Sequence, residues 1–378
     1  MLIGFVAGEA SGDLLAAPVV AALRERLPGV KCAGIAGDRM IEAGAQAWWH
    51  VRELSVRGYA EVLRELPRLL QMRSALRRRL LGGQPAAVVG VDSPDFNLRL
   101  EMQLRAAGVP TVHYVSPSIW AWRPQRIDKV RRAADRVLLV FPFEQRIYDD
   151  AGIAATYVGH PLASIIPARA DTAGARRRLG LPEAGPVVAL LPGSRRAEVQ
   201  HIGPVFIEAA ALMLRREPRL LFVLPVAEPR LREHLAAALA GAGAAAGRIR
   251  LLDGRSHDCL EAADGALVAS GTATLEAALY GKPMVIAYRM PPFSHWIMRQ
   301  MGTVTFVGLP NILAGEPLVP ELLQHDATPQ RLADGLLAIL DDPARCELLR
   351  ERFAAMHASL KRDTARLAAE AIMATMKR

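Results

Sequence analysis

Along the chain, short runs of Val, Ile, Leu and Ala alternate with longer stretches whose apolar residues recur at helical spacing. The runs are "LIGFVAG", "AAVVGVD", "TVHYVSP", "RVLLVFPF", "ATYVGHP", "VVALLPGS", "LLFVLPVA", "GALVASGT" and "PMVIAYR". Strands that are apolar throughout must be covered on both faces, which is the condition of a parallel sheet wound with helices in β-α-β units. The pattern therefore predicts an α/β, doubly wound fold. It is interrupted between Pro161 and Pro186, where "ASIIPARADTAGARRRLGLPEAG" carries an extra short helix, a proline and a Gly-Leu-Pro break before a fresh strand. A boundary there gives domains at residues 1–165 and 166–342, and 378 residues suit two domains. The last segment, 343–378, reads as helical and is expected to pack back on the first domain. The expected architecture is two Rossmann-like domains facing a central cleft. In open α/β sheets ligands sit beyond the carboxyl ends of the strands, so the loops after strands are where chemistry is sought.

Composition narrows the class. With 51% apolar and 22% charged residues and no low-complexity tract, disordered and fibrous chains are excluded. Cys32, Cys259 and Cys346 are far apart and lack paired metal-ligand spacing, so a reducing cytoplasm is the simplest setting. The opening "MLIGFVAGEASGD" has no charged leader and reads as a first strand, and no segment has the ~18 apolar residues a spanning helix needs. A net charge of +9 points to acidic partners: nucleic acid, anionic lipid or a phosphorylated substrate. Nucleic acid is disfavoured, because no basic stripe is interleaved with stacking aromatics and no zinc-finger or RNP-like spacing occurs.

Three loops have the makings of anion sites. "GEASGD", Gly8 to Asp13, follows the first run; its glycines allow close backbone approach, and Glu9 and Ser11 sit where a helix begins. A plain capped turn explains it equally well. "LLPGSRRAEV" joins a glycine turn, the Ser194 hydroxyl, helix N–H groups and a guanidinium, with Arg195 beside the turn a better anion ligand than Arg196. "ASGTATLEAALYGKPMVIAY" places Gly271 and Thr272 at a helix start, able to offer N–H groups to a diphosphate, and Glu276 one turn later, able to accept from ribose hydroxyls. A capping box from Thr272 fails, because Glu276 is one residue too late.

Three further features are ambiguous. "AVVGVDSPDFN" ends a buried run on two acids, of which Asp92 closes the strand and Asp95, after Pro94, can cap a helix beginning around Phe96 to Leu98. "YVSPSIWAWRPQRIDKV" carries Trp120 and Trp122, which suit either stacking on a sugar or burial between domains. From Gly58 to Leu81, Val62, Leu66, Leu69, Leu70, Leu76 and Leu80 recur at helical spacing around a break at Pro67, followed by Arg73, Arg77, Arg78 and Arg79. Such a basic amphipathic helix either packs on the sheet or lies on an anionic membrane surface.

Taken in order, "GEASGD", "GVDSPDFN", "YVSPSIWAWRP", "FPFE", "VGHPL", "LLPGSR", "SGTATLEAAL", "KPMVIAY" and "LPNILAG" resemble the lipid-A-disaccharide synthase family, glycosyltransferases of the GT-B architecture, over nearly the whole chain. The resemblance implies inverting transfer of 2,3-diacylglucosamine from its UDP derivative to the 6-hydroxyl of 2,3-diacylglucosamine 1-phosphate, giving a β-1,6 disaccharide and UDP. It implies that the second domain holds the nucleotide through Ser194, Arg195, Gly271, Thr272, Glu276 and also Asn311, and that the first holds the acceptor near Glu9, Ser11, Asp95, Trp120, Trp122 and Arg123. Arg123 and Arg126 are candidates for the acceptor phosphate. With acylated substrates on both sides, the resemblance favours the membrane reading of the 58–81 segment, with Val62, Leu66, Leu69 and Leu70 facing the bilayer, and a peripheral enzyme on the cytoplasmic face of the inner membrane. It implies no cofactor and leaves oligomeric state open.

An inverting transfer needs a base for the acceptor hydroxyl, and Asp92, at the strand end, is assigned that role. The donor half has no Asp-x-Asp beside a strand, so Arg195 and helix N-termini are expected to meet the leaving diphosphate without a metal. Competing readings are another UDP-sugar transferase or an epimerase of the same fold, and a non-catalytic nucleotide-sugar-binding membrane adaptor. A dinucleotide oxidoreductase lacks its Gly-x-Gly-x-x-Gly turn.

Overall fold

The computed structural model describes residues 1–54, 59–120, 125–289 and 305–376, with the backbone alone for 59–64 and 197. Contacts divide the chain into two units: Met1–Pro161 with Leu360–Arg378, and Leu162–Ser359. The chain thus passes between units at 161/162 and 359/360, where the expected divisions were 165/166 and 342/343. The Pro343–Leu360 helix therefore lies almost wholly in the second unit, and of the two C-terminal helices only Thr364–Met376 joins the first, packing on the Ala10–Arg26 helix. A sequence break marks where regular structure stops. It does not say which neighbour a long helix covers.

The first unit holds a seven-stranded parallel sheet in the order β3-β2-β1-β4-β5-β6-β7. Its strands are β1 Leu2–Ala7, β2 Lys31–Ala36, β3 Gln46–His50, β4 Ala87–Val91, β5 Thr111–Tyr114, β6 Arg136–Leu139 and β7 Ala155–Tyr157. The second holds a six-stranded parallel sheet, β10-β9-β8-β11-β12-β13, built from β8 Val187–Leu191, β9 Leu221–Val226, β10 Ile249–Asp253, β11 Gly265–Ala269, β12 Met284–Tyr288 and β13 Glu321–Leu323. In each sheet the order reverses beside the first strand, between β1 and β4 and between β8 and β11. β1, β4, β8 and β11 are buried along almost their whole length, as their apolar runs require.

Four strands, β2, β3, β10 and β13, fall outside the nine apolar runs. β3, β10 and β13 are sheet edges with half-exposed positions, so polar residues enter them. β2 is internal but made of small residues, and Gly34 lies so close to β1 that a Cβ there would stand 2.1 Å from the Phe5 carbonyl oxygen. The helix Tyr59–Gly82 runs unbroken through Pro67, contrary to the expected break. Its C-terminal half packs on the sheet through Met72, Leu76 and Leu80.

Candidate active site

In the first unit the loops after β1 and β4 flank the point where the strand order reverses, where open α/β sheets bind ligands. They also touch: a Cβ on Gly8 would stand 1.9 Å from Ser93 Oγ, so only glycine lets the two loops close together. Asp92 and Ser93 both have left-handed backbone, φ 53° and 44°. This strained strand-to-helix turn is held by Asn97, whose buried amide donates to the carbonyls of Asp92 at 2.8 Å, Val91 at 3.2 Å and Val6 at 3.2 Å. Asp92 itself is half-buried, and its N–H donates to the Tyr114 carbonyl at 2.8 Å.

Glu9 and Ser11 are exposed at the start of the Ala10–Arg26 helix, with Glu9 at the N-cap and no side-chain cap bond. Asp13, in contrast, is buried and accepts from the N–H groups of Gly37, Arg39 and Met40, so it caps the helix Asp38–Glu42. Asp95 does not cap as expected. The helix starts at Pro94 with Ser93 at the N-cap, and the exposed Asp95 carboxylate accepts from Arg126 at 2.9 Å instead.

Trp120 belongs to a cluster inside the first unit. Its indole N–H donates to Glu144 Oε1 at 3.2 Å and its ring meets Phe143 edge-on at 5.3 Å, while Phe141 stacks on Phe143 and lies tilted against His160. Trp122 and Arg123 lie outside the described residues. Glu144 is buried, and desolvation pushes its carboxyl up to about 7 against the opposing bonds from Phe141, Trp120 and Ser116. Its folded value thus exceeds its unfolded one near 4.3, so its contribution to stability is fully present below the unfolded value and is lost as pH rises through about 7. Thermal melts should show stability falling from about pH 5 to about pH 8, with that slope reduced in Glu144→Gln. Equal slopes in both proteins would refute this.

In the second unit the loops after β8 and β11 flank the corresponding reversal. Gly193 has φ 104°, and Ser194 and Arg195 are exposed just before the helix Arg196–Arg216, with Arg195 as N-cap. The Arg195 guanidinium donates to Glu198 Oε1 at 2.8 Å, and its N–H donates to Oε2 at 3.3 Å. Gly271, with φ 143°, and Thr272 are exposed at the start of the helix Thr272–Leu279. Glu276 is half-buried one turn on; burial raises its carboxyl above the ordinary range while His257 opposes.

Asn311 differs from expectation. It is fully buried and its amide is committed: Nδ2 donates to the Val319 carbonyl at 2.9 Å and to Glu321 Oε1 at 2.8 Å, and Oδ1 accepts from Val319 N–H at 2.9 Å. It builds the loop. Glu321, which the sequence did not single out, also accepts from the N–H groups of Val307 at 2.8 Å and Gly308 at 2.9 Å. Ser270 donates to the Val307 carbonyl at 3.0 Å and Leu309 N–H to Thr274 Oγ1 at 3.2 Å, tying "LPNILAG" to the β11 loop.

A cavity of about 390 Å³ lined by Gln200, His201, Arg289, Gln324 and His325 opens here. Arg289 and Gln324 directly follow β12 and β13, so it lies at the carboxyl ends of the strands. Their position just past a strand was the readable signal. A larger cavity, about 630 Å³, includes Asp264 and Lys282, which precede β11 and β12 and so lie at the amino ends. Several of its charged groups have internal partners: Arg176 pairs with Asp264 at 2.8 Å, Lys282 donates to the Glu261 carbonyl at 3.0 Å, and Arg350 pairs with Glu347 at 3.0 Å. Among the described residues no cluster of His, Cys, Asp or Glu is arranged to hold a metal.

The family model described as lipid-A-disaccharide synthetase matches residues 3–373. The chain belongs to that family. It is a glycosyltransferase of the kind that forms the lipid A disaccharide, and the lipid-A-disaccharide synthase of Paraburkholderia phymatum is 53% identical over 376 residues, covering 99% of this chain and 96% of the relative. In fold the chain is similar to the glycosyltransferase of kitacinnamycin, with TM-score 0.64 and 16% identity over 99% of this chain and 98% of that one. It is likewise similar to UDP-GlcNAc 2-epimerase from Neisseria meningitidis, with TM-score 0.64 and 13% identity over the whole of both chains. These likenesses make the two parallel-sheet units a GT-B fold.

Proposed function

We propose that this family member transfers 2,3-diacylglucosamine from its UDP derivative to the 6-hydroxyl of 2,3-diacylglucosamine 1-phosphate with inversion. The donor is held by the second unit and the acceptor by the first. The observation that carries this reading is the position of the four motif loops, each at the carboxyl end of a strand beside a reversal of strand order. Asp92 takes the proton of the acceptor hydroxyl as it attacks the anomeric carbon, and the departing diphosphate is met by Arg195, Ser194 and the N–H groups at Gly271 and Thr272. Glu276 accepts from the ribose hydroxyls, and Asn311 with Glu321 holds the loop that lies against the β11 turn. Glu9, Ser11 and Trp120 serve the acceptor side. No metal takes part, since the donor half has no Asp-x-Asp after a strand. The test is an assay with both acylated sugars and UDP release as readout; consumption of UDP-N-acetylglucosamine without a lipid acceptor would favour an epimerase, and UDP binding without turnover an adaptor.

We also propose that the helix Tyr59–Gly82 brings the enzyme to an anionic membrane on the cytoplasmic side. Leu66 and Leu70, 43% and 42% exposed, are large apolar side chains one turn apart, with Leu69 half-buried beside them. The Val62 side chain lies outside the described residues. Of the arginines, Arg79 lies over the Trp48 ring at 4.4 Å and Arg73 near Phe96 at 5.9 Å, which leaves Arg77 and Arg78 for head groups. No helix among the described residues is long and apolar enough to cross a membrane. Losing about 1 kcal/mol per leucine, Leu66→Ser with Leu70→Ser should weaken binding to anionic liposomes roughly thirtyfold. Unchanged flotation would remove this role.

A further inference from the structure

Behind Asp92 lies an ion pair that the mechanism above does not use. Gly90 on β4 is paired with His113 on β5, and the helix Pro94–Arg105 runs over them with Asn97 and Glu101 one turn apart on the same face. Glycine is required at 90, because a Cβ there would stand 2.0 Å from Glu101 Oε1 and 3.1 Å from Asn97 Cβ. The space so made holds a bidentate contact: His113 Nδ1 lies 2.8 Å from Glu101 Oε1 and 3.1 Å from Oε2, with the side chains 0% and 1% exposed. His113 Nε2 and Asn97 Oδ1 are buried without a hydrogen-bond partner among the described residues.

A buried pair of this kind is a poor source of stability, since desolvation offsets most of its attraction and an apolar pair of the same volume does as well. Its placement points elsewhere. His113 is next to Tyr114, whose carbonyl accepts from Asp92 N–H, and Glu101 is one turn from Asn97, whose amide holds the Asp92 carbonyl. Burial pushes the imidazole down, but the Glu101 carboxylate, its hydrogen bond and the Asp92 charge together carry it above its ordinary value. Burial also raises the Glu101 carboxyl against the pull of His113, so the two side chains hold a proton between them, and the acids acting on the imidazole are Glu101 and Asp92.

We propose that Glu101 and His113 are positioning residues for glycosyl transfer, a buried pair beneath the β4 turn that holds Asn97 and the Tyr114 carbonyl in place and so orients the Asp92 carboxylate. This rests on Asp92 being the base. The experiment measures kcat, KM for each sugar and thermal unfolding for Glu101→Gln, His113→Asn and Asp92→Asn, singly and with each pair partner combined with Asp92→Asn. Glu101→Gln keeps shape and hydrogen bonding but removes the charge; His113→Asn is the second variant should the first unfold.

The expected result is a kcat lowered roughly ten- to a hundredfold with KM within about twofold, in protein that still unfolds cooperatively, and no further loss once Asp92 is already asparagine. A purely structural pair would lower the melting temperature and leave kcat per folded molecule unchanged, which overturns the proposal, as does full additivity with Asp92→Asn. An inactive Asp92→Asn beside silent pair variants refutes the pair and spares the base assignment. A fully active Asp92→Asn refutes both.

Discussion

Asp92→Asn is expected to lower kcat by about 10²–10⁴, the contribution of a positioned general base, with KM for both sugars nearly unchanged. The side chain is isosteric, and the contacts that hold the turn are made by backbone and by Asn97, so the fold should survive: Asp92 N–H still donates to Tyr114 and Asn97 still caps the carbonyls. The loss would fall on proton removal alone. Asp95→Asn is the internal control. Its exposed pair with Arg126 is worth at most ~1 kcal/mol, and a neutral amide at the same place should leave kcat within about threefold and stability slightly lower. Steady-state assays of UDP release on both variants decide between them, and an Asp92→Asn enzyme with wild-type turnover removes the base assignment.

The division of labour between these two acids shows what the chain made legible and what it did not. That a buried run ends at Asp92 could be read from "AVVGVD", because apolarity on both faces forces a parallel strand and parallel sheets bind at strand ends. The same logic located Arg195 and Thr272, which the fold sets beside the reversal of strand order in the second sheet. Side-chain partnership was not legible. Asp95 resembles a cap in sequence but meets an arginine 31 residues away, and Asp13 caps a helix 25 residues later in the chain. Asn311 looked like a free amide, and only the fold brings Val319 and Glu321 to it. Hydrophobic period carries information about faces and layers; which polar atoms meet depends on the crossing of elements distant in sequence, and a single chain holds no local trace of it. The edge strands β3, β10 and β13 were missed for the converse reason, since half-solvated positions tolerate the polar residues that hide them.

Arg195→Ala is expected to cost about 10²–10³ in kcat/KM for the UDP-sugar, as removal of one preformed electrostatic contact to a developing charge does. The leaving group is a diphosphate, so charge builds on UDP as the glycosidic bond breaks, and a guanidinium beside a glycine turn and a helix N-terminus is the strongest positive group the β8 loop offers. In the structure that guanidinium lies against Glu198, 2.8 Å away, and its side chain is 81% exposed. Glu198, 15% exposed, also accepts from the Arg195 backbone N–H, so it keeps a partner when a bound diphosphate draws the guanidinium away. Arg195→Lys keeps the charge but loses the planar fork, and should fall between alanine and wild type. Arg196→Ala should behave as wild type, because that side chain is an exposed residue of the first helical turn with no place beside the glycine turn. UDP product inhibition measured alongside separates the two stages of the effect: a loss confined to kcat with UDP affinity unchanged places the arginine on the transition state, and equal losses in both place it on nucleotide binding. Arg195→Ala within about threefold of wild type in kcat/KM would leave the departing diphosphate to the helix N-termini and Ser194 alone.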